Sequence, residues 1–94
     1  MRKFNSLAPE EVELLEEIAL ADSHDLIVFN DDVNTFEHVI EALIDVCGHS
    51  QEQAEQCTII IHHKGKCSVK IGGFEELASM RNSICNRGIS AEVY

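Results

Sequence analysis

Between Leu26 and Thr35 the chain changes character abruptly. The apolar run Leu26, Ile27, Val28 and Phe29 stops at Asn30, Asp31 and Asp32, and an amphipathic segment opens near Thr35. A short apolar run closed by turn-forming residues reads as a strand and the segment behind it as a helix, so the chain must mix both kinds of element. Asn and Asp are ordinary turn residues that bond their own backbone and cap the next helix. Two adjacent carboxylates with no Lys or Arg near them in sequence also leave negative charge unneutralised at the end of a rigid strand, where binding groups concentrate. The triplet thus reads either as a capping turn or as a site for a cation, and taken alone it favours the turn.

Around this feature the other elements fall into place. Met1 to Lys3 read as a loose end. Pro9 with Glu10 and Glu11 marks a helix start, with acids suited to the positive end of the helix dipole. Val12, Leu15 and Ala19, with Leu14 and Ile18 beside them, give an apolar stripe that Ser23 and His24 interrupt. Residues 1–24 are therefore read as an acidic helical extension, packed on the domain or held for a partner, and residues 25–94 as the core domain. Asp25 to Phe29 is predicted to be a strand buried on both faces. Thr35 is a good N-cap, and Phe36, Val39, Ile40, Leu43, Ile44 and Cys47 recur at helical spacing up to Gly48.

Ser50 with Gln53 forms a capping-box signature for a second helix. Thr58 to Ile61 is a β-branched run that propensity alone would make a strand. Ala54, Cys57, Thr58 and Ile61 nevertheless keep the spacing of one helical face, and no turn residue intervenes before His62, so a helix is expected. Gly65 breaks it. Cys67, Val69 and Ile71 alternate with Ser68 and Lys70 as in a half-exposed strand, and Gly72 and Gly73 make a turn. Phe74, Leu77, Ala78, Arg81 and Ile84 predict a third helix ended by Gly88, and Ile89 to Tyr94 a last strand. The order gives an α+β two-layer sandwich, a three-stranded sheet packed against three helices (β-α-α-β-α-β), behind the N-terminal helical extension.

A chain of 94 residues suffices for one small domain. Its 17 acidic against 7 basic residues, a net charge of -10, make nucleic acid and anionic membranes unfavourable partners and favour cationic ones. No apolar run is long enough to span a bilayer, and the N-terminus lacks the apolar core of a secretory signal, so a cytoplasmic protein is expected. Cys47, Cys57, Cys67 and Cys85 match no familiar disulfide or zinc spacing and are read as core packing, with a metal cluster of Cys57, His62, His63 and Cys67 as the alternative. No cofactor is implied.

Two motifs together resemble a known family. Val28, Phe29, Asn30, Asp31 and Asp32, followed by an apolar helix and then by His62, His63, Lys64, Gly65 and Lys66, are similar to the ClpS family of adaptors for the Clp AAA+ protease. The strand-ending Asn-Asp-Asp and the His-x-x-Gly-Lys signature are both present, and their joint occurrence is far less expected by chance than either alone. The resemblance implies recognition of proteins by their first residue: a bulky apolar side chain (Leu, Phe, Tyr or Trp) enters a pocket and the free α-amino group is held at its mouth. It implies delivery of the captured protein to a Clp unfoldase, ClpA-like or ClpC-like, through that partner's N-terminal domain. An α-amino group has a reference pKa of about 7.7 to 8.0 and is mostly a cation near neutrality, which suits an acidic turn.

On this resemblance Asn30, Asp31, Asp32 and His62 bind the α-amino group, with Asp31 adding charge or ordering the turn. Val28, Val39, Thr58 and Ile61 form the pocket wall, with Asn34 and Phe36 at the rim. Glu75, Glu76 and Arg81 are candidates for the docking face. The chain departs from the family pattern at Phe36 and Thr58, where Met is usual, and at Asn34 and Thr35, where Thr and Pro are usual; Ser68 to Ile89 is shortened and weakly matched.

Other functions fit less well. A phosphoacceptor receiver domain also places acids after an apolar strand, but it needs later strands ending in Asp and Lys and a larger sheet. A hydrolase built on Cys57 or Cys67 with His62 or His63 lacks an oxyanion loop and an orienting third residue. Catalysis is not expected. The remaining alternative is a docking domain of the same fold, like the C-terminal domain of the ribosomal stalk, that binds an unfoldase or translation factor and has no need of Asn30, Asp32 and His62.

Overall fold

The computed structural model describes residues 8–94, without the side chains of residues 18–21. The loose end expected at Met1 to Lys3, and the stripe positions Ile18 and Ala19, lie outside the described residues. The elements run α1 (Pro9–Ala21), β1 (His24–Phe29), α2 (Phe36–Cys47), α3 (Gln51–Lys64), β2 (Lys66–Gly72), α4 (Phe74–Asn86) and β3 (Ala91–Val93). After α1 this is the expected β-α-α-β-α-β order. The three strands form one antiparallel sheet in the order β2-β1-β3, so the strand carrying the acidic turn is central.

One expectation is corrected by the sheet. Leu26 and Val28 have no exposed surface, whereas Ile27 and Phe29 between them are only partly buried. β1 is therefore covered on one face and not on both. The strands are joined through α2, α3 and α4, and these helices pack on a single side of the antiparallel sheet, so the other face stays open. The apolar run that suggested two covered faces reflects instead Phe29 packing edge-on to Tyr94, with ring centroids 6.5 Å apart on the open side.

The core lies between the sheet and α2, α3 and α4. Leu26 and Val28 meet Ala42, Leu43 and Cys47 of α2, Ala54 and Ile61 of α3, Leu77 and Ile84 of α4, and Ile89 and Ala91 of the last strand region. The β-branched run is helical, as its spacing predicts: Thr58 and Ile61 are buried and Ile59 and Ile60 exposed. Burial at the helical period outweighs the small intrinsic β preference of these residues. Cys47 is buried and Cys57 and Cys67 partly so, but Cys85, expected in the core, is exposed one position past the buried Ile84. On α1, Leu14 and Leu15 are more than half exposed.

Caps fix where α2 and α3 begin. Thr35 Oγ1 accepts from the backbone N–H of His38, and Ser50 and Gln53 exchange both bonds of a capping box. Ser50→Ala removes the acceptor for Gln53 N–H and is expected to cost about 1 kcal/mol. Urea unfolding checks this: an unchanged midpoint would mean that the cap contributes nothing.

Candidate functional site

The acidic turn is held from three sides. The Asn30 backbone N–H donates to the carbonyl of Gly65 at 2.8 Å. Gly65 ends α3 with φ +90°, a left-handed conformation that favours glycine, and its own N–H bonds Ile61 O. The end of β1 is thereby tied to the end of α3, which brings Asn30 beside the helix turn that carries His62. Asp31 then closes the turn on itself. Its Oδ1 accepts from the backbone N–H groups of Val33 and Asn34, both at 2.9 Å, and its Oδ2 accepts from Asn34 Nδ2 at 2.8 Å. The Asn34 backbone donor, aided by the other bonds, holds the Asp31 carboxyl below the usual carboxylate range despite some desolvation.

The third tie comes from the loop before β3. Asn34 Nδ2 also donates to Gly88 O at 2.9 Å, and His38 Nε2 lies 2.8 Å from Arg87 O. A carbonyl only accepts, so His38 carries its hydrogen on Nε2. Arg87 is in turn paired with Asp45 of α2 at 3.1 Å. Both carboxyl oxygens of Asp31 and the amide nitrogen of Asn34 are thus committed to the shape of the turn.

Asn30, Asp32 and His62 differ from them. Among the described residues none of these side chains makes a hydrogen bond or ion pair within the protein, and all three are exposed. His62 is placed by packing: its ring stands edge-on to Phe36 at 5.2 Å and to His63 at 5.5 Å. The three groups stand at the mouth of a cavity of about 260 Å3. Val39, Ile61 and Ile89 give its interior an apolar character, with Phe29 and the exposed Phe36 completing the wall and Thr58 the buried polar member. A carboxylate, an amide and an imidazole converging on an apolar recess form a site for a cation attached to an apolar group.

The structure brings Asn30, Asp31, Asp32, His62, Asn34, Phe36, Val39, Thr58 and Ile61 to this one cavity. It does not bring Val28, whose side chain is fully buried behind the wall because even-numbered positions of β1 face the core. Phe29, Thr35 and Ile89 line the cavity without having been singled out. Thr35 and Phe29 follow from adjacency to the turn, but Ile89 depends on β3 pairing beside β1, which local spacing does not reveal. Glu75, Glu76 and Arg81 do not form one face. Arg81 lies five residues past Glu76, about 140° further round the helix, and its guanidinium meets Glu92 of β3 at 3.6 Å.

Cys57, His62, His63 and Cys67 are not assembled into a metal site; among the described residues no group of three or more His, Cys, Asp or Glu side chains is placed to hold one. Burial pushes the thiols of Cys47 and Cys67 up to about 11, away from the thiolate a nucleophile requires. No helix among the described residues is long and apolar enough to cross a membrane.

Comparison with known proteins places the fold and the family. A search of curated proteins gives no match. Among solved structures the fold is similar to that of Agrobacterium tumefaciens ClpS2 bound to L-phenylalaninamide, with a TM-score of 0.75 and 15% identity over 78% of this chain and 95% of that one. The family described as ATP-dependent Clp protease adaptor protein ClpS matches residues 20–91. That span includes β1, the acidic turn, the end of α3 and all the elements that hold them, and the chain belongs to the ClpS family of Clp protease adaptors.

Proposed function

We propose that this protein captures other proteins by a bulky apolar first residue and presents them to a Clp AAA+ unfoldase. The observation that carries the reading is the set of unspent acceptors: Asn30, Asp32 and His62 stand without internal partners around the mouth of an apolar cavity. A free N-terminus matches them, since its ammonium offers donors and positive charge beside an apolar side chain. Asn30 and Asp32 accept from the ammonium, His62 accepts directly or through water, and Asp31 orders the turn. Val39, Thr58 and Ile61 receive the side chain, with Phe36 and Asn34 at the rim. The solved relative named above is bound to L-phenylalaninamide, which has a free amine and a benzyl side chain, and this supports the assignment.

Unpartnered polar groups also weigh against a docking domain that ignores N-termini, because such a domain has no use for them. Delivery requires contact with the unfoldase's N-terminal domain, ClpA-like or ClpC-like. Glu75 and Glu76, exposed on the first turn of α4, remain candidates for that contact. A fluorescence-anisotropy titration tests the reading. A peptide beginning with Phe or Leu should bind at low micromolar Kd, on the order of -8 kcal/mol, and the same peptide beginning with Glu should not; equal binding of the two would overturn it.

A further inference from the structure

Thr58 is the buried polar side chain of the described core, 2% exposed, and it lies on the wall of the cavity beside Val39, Ile61 and Ile89. Its hydroxyl donates to Ala54 O at 2.7 Å, so its hydrogen is committed to its own helix. The oxygen that remains can only accept. Among the described residues no group donates to that oxygen, and the buried members of the wall beside it, Val39, Ile61 and Ile89, are aliphatic.

Position then fixes what could supply that donor. Thr58 precedes His62 by one helical turn, on the same face of α3, so it lies about 6 Å along the helix from the residue that marks the mouth. A side chain whose α-amino group is held at His62 and Asn30 and whose body fills the apolar recess brings its far end to the depth of Thr58. From this geometry we propose that Thr58 Oγ1 is a specificity-determining acceptor, and that the cavity favours a first residue with an aromatic body and a hydrogen-bond donor at its tip. Tyr, with its phenol, is the first such residue, and Trp, with its indole N–H, the second. The inference rests on the reading that the cavity takes the first side chain.

The energetics point the same way. Burying a phenol without a partner is unfavourable relative to burying a benzyl ring, so an apolar-walled pocket without an acceptor ranks Phe above Tyr. A single well-placed acceptor reverses that order, because a site that satisfies a hydroxyl discriminates against the analogue that lacks it.

The test uses two peptides that differ only in a first residue of Tyr or Phe, titrated against the full chain and against Thr58→Val and Thr58→Ser. The unmodified protein should bind the Tyr peptide about three- to tenfold more tightly, one hydrogen bond's worth. Thr58→Val keeps shape and removes the acceptor, and should bring the ratio to one or below; Thr58→Ser keeps the acceptor and should preserve the preference for Tyr. Circular dichroism establishes that each variant is folded, and if Thr58→Val is not, the ratio in the unmodified protein and in Thr58→Ser still decides. Phe bound as tightly as Tyr by the unmodified protein would overturn the inference while leaving capture of N-termini intact. Failure to bind either peptide would overturn both.

Discussion

N-acetylation of a Phe-initiated peptide should abolish its binding, with affinity lost by at least about a hundredfold. Each hydrogen bond to a charged group contributes about 1.5 to 3 kcal/mol, and acetylation removes the charge and most of the donors that Asn30, Asp32 and His62 receive. The side chain is left unchanged, so its burial in the recess cannot account for the loss. A matched pH series checks the same point. The free peptide's amine titrates near 7.7 to 8.0, and a bound ammonium beside Asp32 has a raised pKa. Binding that selects the protonated form is therefore fully present below the free value. It weakens as pH rises through the free value towards the bound one, by up to tenfold per pH unit. Acetylated and free peptides binding alike, or affinity flat from pH 7 to 9, would remove the ammonium from the mechanism and return the acidic turn to the role of a cap.

The sequence made the local parts of this site legible and left the long-range parts hidden. Strand-ending acids, the helical spacing of Phe36, Val39 and Leu43 and of Ala54, Thr58 and Ile61, and the glycine stop at Gly65 are short-range signals, and each is realised in the structure. The β-branched run at Thr58 to Ile61 follows period and not propensity, because burial of Thr58 and Ile61 outweighs a few tenths of a kcal/mol per residue of intrinsic preference. Val28, expected on the pocket wall, lies behind it. Alternation along a strand tells which face a side chain takes, but not whether a core-facing side chain reaches a cavity surface or lies completely covered beneath it, as Val28 does. Ile89, and the carbonyls of Arg87 and Gly88 that hold His38 and Asn34, sit about 50 residues along the chain from the turn they support, and only tertiary pairing beside β1 joins them. Arg81 stands apart from Glu75 and Glu76 because proximity in sequence is not proximity around a helix.

Replacing the two adjacent acids one at a time should separate architecture from recognition. Asp32 is exposed and has no internal partner among the described residues, so Asp32→Ala removes no bond from the fold. It should leave the thermal midpoint within about 2 to 4 °C, since substitutions at such positions are usually within about 0.5 kcal/mol, yet weaken a Phe-initiated peptide by about 10- to 150-fold, one charged hydrogen bond. Asp31 accepts three hydrogen bonds that define the turn, so Asp31→Ala should lower stability and weaken binding together, through loss of the geometry that aims Asn30 and Asp32. The sign of the pH effect follows from its lowered pKa. Asp31 contributes stability that is present above its unfolded value near 3.8 and is lost as pH falls through its lower folded value. The difference in stability between the unmodified protein and Asp31→Ala should accordingly shrink in acid below that range. If Asp32→Ala proves as destabilising as Asp31→Ala, both acids belong to the turn. If Asp31→Ala leaves stability unchanged but cancels binding, Asp31 touches the ammonium itself and the division drawn from the hydrogen bonds is wrong.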